Sequence, residues 1–164
     1  PERNPALGKY QDDSQCFPLA ESWYAVYRNY EFDPFLGGTE KCVKAKNGGD
    51  SEMRQNVDGA FPTTFKLGNE SVKTLVTLDS SEGYTAKNVV YIRPVEENSS
   101  VLIYVAYLDC KKCVLLRNVY VDDSACSLLV PVSELANHSI CCDFVFDLLC
   151  GVGEKYLMYD DSCK

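Results

Sequence analysis

Histidine is nearly absent from this 164-residue chain, and the single copy, His138, lies inside an Asn137-His138-Ser139 glycosylation sequon. A Ser-His-Asp or Cys-His catalytic arrangement would have to be built on that one solvent-facing ring, so the chain reads as a non-enzyme. Long apolar runs are missing too. No stretch approaches the roughly 20 residues that a bilayer-spanning helix needs. The start at Pro1-Glu2-Arg3-Asn4 has no apolar leader, so a soluble, processed product is expected. Positive charge is in the minority, with 16 Lys and Arg against 24 Asp and Glu, and the net charge of -8 argues against nucleic acid or an anionic membrane as partner. Gly37-Gly38 and Gly48-Gly49 lack a P-loop lysine and read as turns. No cofactor is expected, and the chain has no internal repeat or low-complexity tract.

Cysteine, by contrast, is abundant: nine in a chain whose length fits one domain. So many half-cystines imply covalent stapling in an oxidising compartment, hence secretion. Three sequons agree, offering Asn69, Asn98 and Asn137 as acceptors for N-linked sugar. Nine is odd, so one thiol is free or joined to another molecule. Cys110-Lys111-Lys112-Cys113 has the spacing of a redox dithiol, but it opens a strand where that motif opens a helix. A zinc site on Cys110, Cys113, Cys141 and Cys142 is disfavoured because thiols in secreted proteins are oxidised rather than metallated.

Residues 1–15 are polar and read as an arm pinned near Cys16. From Trp23 the pattern becomes period-two and aromatic-rich, the signature of antiparallel strands. Tyr24, Val26, Arg28 and Tyr30 are expected on one face of the first strand, with Trp23, Ala25, Tyr27 and Asn29 on the other. Asp33-Pro34 and Gly37-Gly38 make the first turn, and Asn47-Gly48-Gly49-Asp50 the second, around a strand carrying Cys42 and Val43. Further strands are expected near 59–67, 71–79, 84–93, 101–108, 113–121 and 126–130, separated by short polar loops. About eight strands at this spacing suit a sandwich or barrel, and their regularity favours an up-and-down meander across 22–130. After Pro131 the period changes. Ile140, Phe144, Leu148 and Cys141, Val145, Leu149 recur at helical spacing within 137–150, with Gly151 at the C-cap. One helix is therefore expected on the sheet, followed by an extended piece at 155–163.

Eleven tyrosines and seven phenylalanines are many for such a chain. Closed barrels of about eight strands either fill with side chains or enclose one small ligand. Aromatics on strands often only pack, and arginines such as Arg28, Arg93 and Arg117 often only face water. Periodicity does not separate the two readings.

The segment Trp23-Tyr24-Ala25-Val26-Tyr27-Arg28-Asn29-Tyr30, then Asp33-Pro34, Gly37-Gly38 and Lys41-Cys42-Val43, resembles the first two strands of tick salivary lipocalins. Cys113-Val114-Leu115, Cys126-Ser127-Leu128-Leu129-Val130, Cys141-Cys142-Asp143-Phe144, Leu149-Cys150-Gly151 and Tyr159-Asp160-Asp161-Ser162-Cys163 look like the hard-tick branch, in order and in spacing. The resemblance covers nearly the whole chain from Cys16. It implies an all-β fold with one C-terminal helix: an eight-stranded antiparallel up-and-down lipocalin barrel, disulfide-stapled, secreted in saliva to sequester host mediators. Ligand classes in the family are histamine, serotonin, leukotrienes, thromboxane and other lipids, and some members bind complement. The family's cystine pattern implies Cys42 with Cys163, Cys16 with one of Cys141 or Cys142, Cys113 with the other, and Cys126 with Cys150. Cys110 would be left unpaired.

Amine-binding members of the family carry an acidic residue after the cysteine matching Cys113, and Glu-Leu-Trp or Glu-Leu-Tyr where this chain has Ser127-Leu128-Leu129. Val114, Ser127 and Leu129 replace both acids and the aromatic. An amine of about eight heavy atoms reaches nanomolar affinity, roughly -12 kcal/mol, only with a buried carboxylate and an aromatic cage. A lipid of more than about 20 heavy atoms needs only around 0.5 kcal/mol per atom, plus an arginine and hydroxyls for its carboxylate. An eicosanoid, most simply a leukotriene, is therefore the expected ligand, held by Tyr24, Arg28, Tyr30, Phe35, Arg54, Phe65, Tyr91, Arg93, Tyr104 and Tyr107. The alternatives are a histamine or serotonin trap using other acids such as Asp109 or Glu31, and a monomeric module that binds a host protein through its outer loops.

Overall fold

The computed structural model describes residues 3–48 and 59–164. Alternation of apolar and polar side chains produces eight antiparallel strands: β1 (Trp23–Arg28), β2 (Val43–Asn47), β3 (Phe61–Leu67), β4 (Glu70–Asp79), β5 (Val89–Pro94), β6 (Val101–Asp109), β7 (Cys113–Arg117) and β8 (Cys126–Pro131). They pair in chain order, β8 pairs with β1, and β1 pairs with β2, so the sheet closes on itself and leaves no free edge among these eight. A two-residue strand, β9 (Tyr156–Leu157), pairs with the end of β1 beyond β2.

The strands expected at 84–93 and 113–121 are shorter than the sequence suggests. Asn88 is buried and its amide bonds Ser81, so 84–88 is held as a loop. Beyond β7 the chain turns at once, because Asn118 N–H bonds the Ala125 carbonyl. Cys42 precedes β2 rather than lying in it, with a left-handed φ of 64°. The second turn expected at 47–50 runs past the described residues.

The N-terminal arm is structured. Two 3-10 turns, Pro5–Tyr10 and Asp13–Gln15, carry it across one end of the barrel. Gln11 Nε2 donates to the Ala106 carbonyl at 3.1 Å, and Tyr84 Oη donates to Gln11 at 2.8 Å.

Two apolar cores result. One lies inside the barrel around Trp23, Val43, Phe65, Val76, Ile92 and Ile103. The other joins the outer face of β6, β7, β8 and β1 to the helix α1 (Ile140–Cys150) through Tyr27, Leu115, Leu128, Val130 and Phe146. Each such side chain contributes about 1.5–3 kcal/mol by leaving water. The helix turns Cys142 and Phe146 inward. Ile140, Phe144 and Leu148, expected to pack on the barrel, instead face solvent at 83%, 64% and 68% exposure.

The disulfides explain that rotation. Cys113–Cys142 and Cys126–Cys150 tie the two ends of α1 to β7 and β8, and Cys42–Cys163 ties the C-terminal segment to the start of β2. The pairing implied for Cys16 is corrected: it joins Cys110, not Cys141 or Cys142. The arm crosses the barrel end where the β6–β7 turn lies, which brings the two Cα atoms within 5.3 Å. Cys110 is therefore bonded, and the odd thiol is the exposed Cys141, because of two adjacent helical cysteines only Cys142 faces β7. With Cys110 and Cys113 in separate disulfides, neither the redox dithiol nor the four-cysteine zinc site exists.

Candidate ligand-binding cavity

Inside the barrel is a cavity of about 90 Å³, walled by Trp23, Ala25, Val43, Phe65, Val76, Ile92, Ile103, Val114 and other apolar side chains. Phe17 and Leu19 of the arm also line it. Among the described residues, apart from the Thr63 hydroxyl, which donates to the Phe61 carbonyl at 3.2 Å, its polar groups fall into two sets. Arg28, Tyr30, Asp33, Asn118 and Ser127 form one set, and Asp13 on the arm, with the Cys16 disulfide, forms the other.

The first set is internally satisfied. Asp33 is 1% exposed and accepts from the backbone N–H groups of Phe35 (2.9 Å) and Leu36 (2.7 Å), and from Tyr30 Oη (2.9 Å) and Tyr120 Oη (2.6 Å). Arg28, 3% exposed, donates from Nε to the Tyr30 carbonyl and from Nη2 to the Glu31 and Gly38 carbonyls, and its Nη1 lies 3.9 Å from Asp33. Asn118 Nδ2 donates to Tyr30 Oη (3.0 Å) and Ser127 Oγ (2.8 Å). Burial, with Asp33 alongside, pushes both tyrosine hydroxyls far above their ordinary range. This end is thus a neutralised network with its donors committed.

Asp13 is different. It is 5% exposed and lines the cavity, and among the described residues its carboxyl has no hydrogen-bonded or ionic partner. Burial first, then the neighbouring Asp12 carboxylate, pushes it up from 3.8 to about 7. A carboxyl so placed stabilises any cation that enters.

Of the ten residues expected to hold a ligand, Arg28, Tyr30 and Phe65 line the cavity. Tyr24, Tyr91, Arg93, Tyr104 and Tyr107 do not. On β1 a register shift between Ala25 and Tyr27 inverts the alternation, so Trp23 and Ala25 point inward before it and Arg28 after it. A matching shift between Val105 and Tyr107 on β6 leaves Ile103 and Leu108 inside, with Tyr104 and Tyr107 outside. Tyr104 lies under Arg3, and Tyr107 packs beneath the helix. Tyr91 and Arg93 alternate with the inward Val90 and Ile92. Phe35 meets Tyr120 edge-on without lining the cavity, and Arg54 falls outside the described residues. Asp109 and Glu31, the alternative acids, are exposed. Asn69, Asn98 and Asn137 are all exposed as well.

Against known proteins, the chain matches along residues 1–164 a family model described as tick histamine binding protein. The chain belongs to the tick histamine-binding protein family. No curated protein sequence matches it. Among solved structures, the AM182 serotonin complex aligns with a TM-score of 0.65 at 18% identity, covering 93% of this chain and 90% of that one. Japanin from Rhipicephalus appendiculatus, bound to cholesterol, aligns with a TM-score of 0.54 at 14% identity over 87% of this chain and 95% of that one. Insecticyanin from the tobacco hornworm Manduca sexta gives 0.61 at 12% identity over 94% and 84%. These likenesses establish the lipocalin barrel fold. Val114, Ser127 and Leu129 all stand on the cavity wall, which is uncharged at these three positions.

Proposed function

We propose that this chain is a secreted, monomeric salivary scavenger that holds a small organic cation of the histamine or serotonin class in its barrel, without chemical turnover. The observation that carries this reading is Asp13, a buried carboxyl lining an apolar cavity and lacking a counterion. An ammonium group would supply that counterion, and Trp23 and Phe17 offer ring faces in the same cavity. Membership of the histamine-binding family, and the serotonin bound by a protein of the same fold, support it.

The eicosanoid expected from the sequence fits less well. Pockets for drug-sized ligands run to about 300–1,000 Å³, well above the space here. Arg28, the natural anchor for a lipid carboxylate, already gives three hydrogen bonds to backbone carbonyls. Secretion accords with four disulfides and three exposed sequons, which we read as glycosylated.

Calorimetric titration with histamine, serotonin, leukotriene and arachidonate tests the reading. Heat with an amine that disappears in Asp13→Asn is expected. Tight lipid binding with no amine response would overturn it.

A further inference from the structure

Outside the barrel, on the face away from α1, basic side chains gather on a chain that is acidic overall. Tyr24, Lys44, Lys66 and Ser71 are successive partners across β1, β2, β3 and β4, and Lys46, Thr64 and Lys73 form the next row. Lys44 and Lys66 are therefore directly opposite each other, a like-charge pairing that destabilises a sheet. Neither has an ion pair among the described residues, and the Lys44 ammonium lies 5.5 Å from the centre of the Tyr24 ring.

Beside this face is a groove of about 530 Å³ lined by Lys44, Lys66, Asn69, Tyr24 and Tyr159, the two rings 4.9 Å apart. Among the described residues no Asp or Glu lines it. Glu40 lies beside Gly68, Asp160 pairs with Lys41 at 3.5 Å, and Asp161 pairs with Lys164 at 2.9 Å. No acid stands opposite Lys44, Lys46 or Lys66 in the ladder.

We propose that this face is a second binding site, separate from the cavity, for a sulfated polysaccharide. Sulfates would meet Lys44, Lys46 and Lys66, and a sugar ring would lie on the Tyr24–Tyr159 pair in the groove. The charge chemistry calls for a polyanion, and the form of the surface selects which. Duplex DNA and an anionic bilayer are extended and stiff, so they would bring their charge against the rest of a molecule of net charge -8. A flexible chain touches only the basic face and leaves. The groove sets lysines, Asn69, Ser162 and two tyrosine rings beside Val132 and Leu135, a mixed surface that suits the polar edges and apolar faces of a sugar.

The test titrates a heparin-derived octasaccharide into the full chain carrying Asn69→Gln, so that no N-glycan competes for the groove. Binding should weaken with salt, with a log–log slope of about -2 to -3. Lys44→Gln with Lys66→Gln should lower affinity about tenfold or more and make the slope shallower by about 1.5. Amine affinity should not change. The melting temperature should not fall, because the double variant removes a repulsive pair. Absence of octasaccharide binding, binding indifferent to the lysine substitutions, or equal binding of unsulfated polysaccharide or a DNA duplex would each overturn the proposal.

Discussion

Replacing Asp13 by Asn tests the cavity reading through stability and binding together. The carboxyl titrates near 7 in the folded chain against 3.8 ordinarily, a difference of about three units. At 1.36 kcal/mol per unit, burying its ionised form costs on the order of 4 kcal/mol. The folded pKa is the higher one, so the folded chain keeps a proton that the unfolded chain releases. The stabilisation is complete below about pH 4 and is lost as pH rises through about 7. Asp13→Asn removes that dependence. Urea unfolding of both proteins across this range should therefore give curves that coincide near pH 4 and diverge by a few kcal/mol above pH 7, with the variant the more stable. Ligand reverses the ranking. A cationic amine binds the ionised carboxyl, so below about pH 7 its affinity should fall nearly tenfold per unit, with one proton released on binding. Removing one partner of a buried ion pair costs about 3–5 kcal/mol, so the variant should bind the amine at least a hundredfold more weakly. Parallel unfolding curves, or amine affinity flat from pH 5 to 7 and unchanged in the variant, would refute the reasoning.

Asp33→Asn should destabilise the fold by about 3 kcal/mol in urea, because it leaves the Arg28 guanidinium buried without its countercharge. Opening Cys16–Cys110 with paired serines releases a constraint spanning 94 residues, worth about 4–5 kcal/mol, and should also abolish amine binding by freeing the arm that carries Asp13. Opening Cys126–Cys150, which spans 24 residues, should cost about 3–4 kcal/mol in the same assay and leave the amine affinity of the folded fraction intact. Alkylation of the native protein followed by mass spectrometry should give a single adduct, on Cys141, and an adduct on Cys110 would contradict the disulfide map.

The barrel was legible because closure is written in period-two repetition, which β1 and β6 each break once. What the sequence could not carry is which face turns inward. On β1, Tyr24, Arg28 and Tyr30 share a parity, yet one extra residue at the register shift sends Tyr24 outward and Arg28 inward. On β6 the same device excludes both Tyr104 and Tyr107. Such a bulge leaves no trace in side-chain type, so parity reasoning fails from that residue onward. Asp13 was missed for another reason. It lies in a polar stretch that reads as a solvated arm, and only the fold shows that stretch crossing the barrel end. The one available signal was the Asp12-Asp13-Ser14 step, a 3-10 start, three residues before a cysteine.

That cysteine bears on how an unpaired carboxyl can persist in an apolar cavity. An arm free to swing away would carry Asp13 into water and relieve the burial penalty, which the Gln11 and Tyr84 hydrogen bonds and the two that join Asp12 and Asp13 to the Lys87 backbone, at about 1 kcal/mol each, only about match. The Cys16–Cys110 bond closes that escape three residues from the carboxyl. The strain is thereby kept in the folded state, ready to be relieved by a ligand rather than by motion. The opposite end of the cavity follows the contrary logic. There Arg28 and Asp33 neutralise each other within a closed set of hydrogen bonds, so a ligand gains nothing by ionic contact and meets neutral hydroxyl and amide groups. A molecule with one cationic and one neutral polar end, joined by a short apolar body, matches that asymmetry better than a long chain ending in a carboxylate.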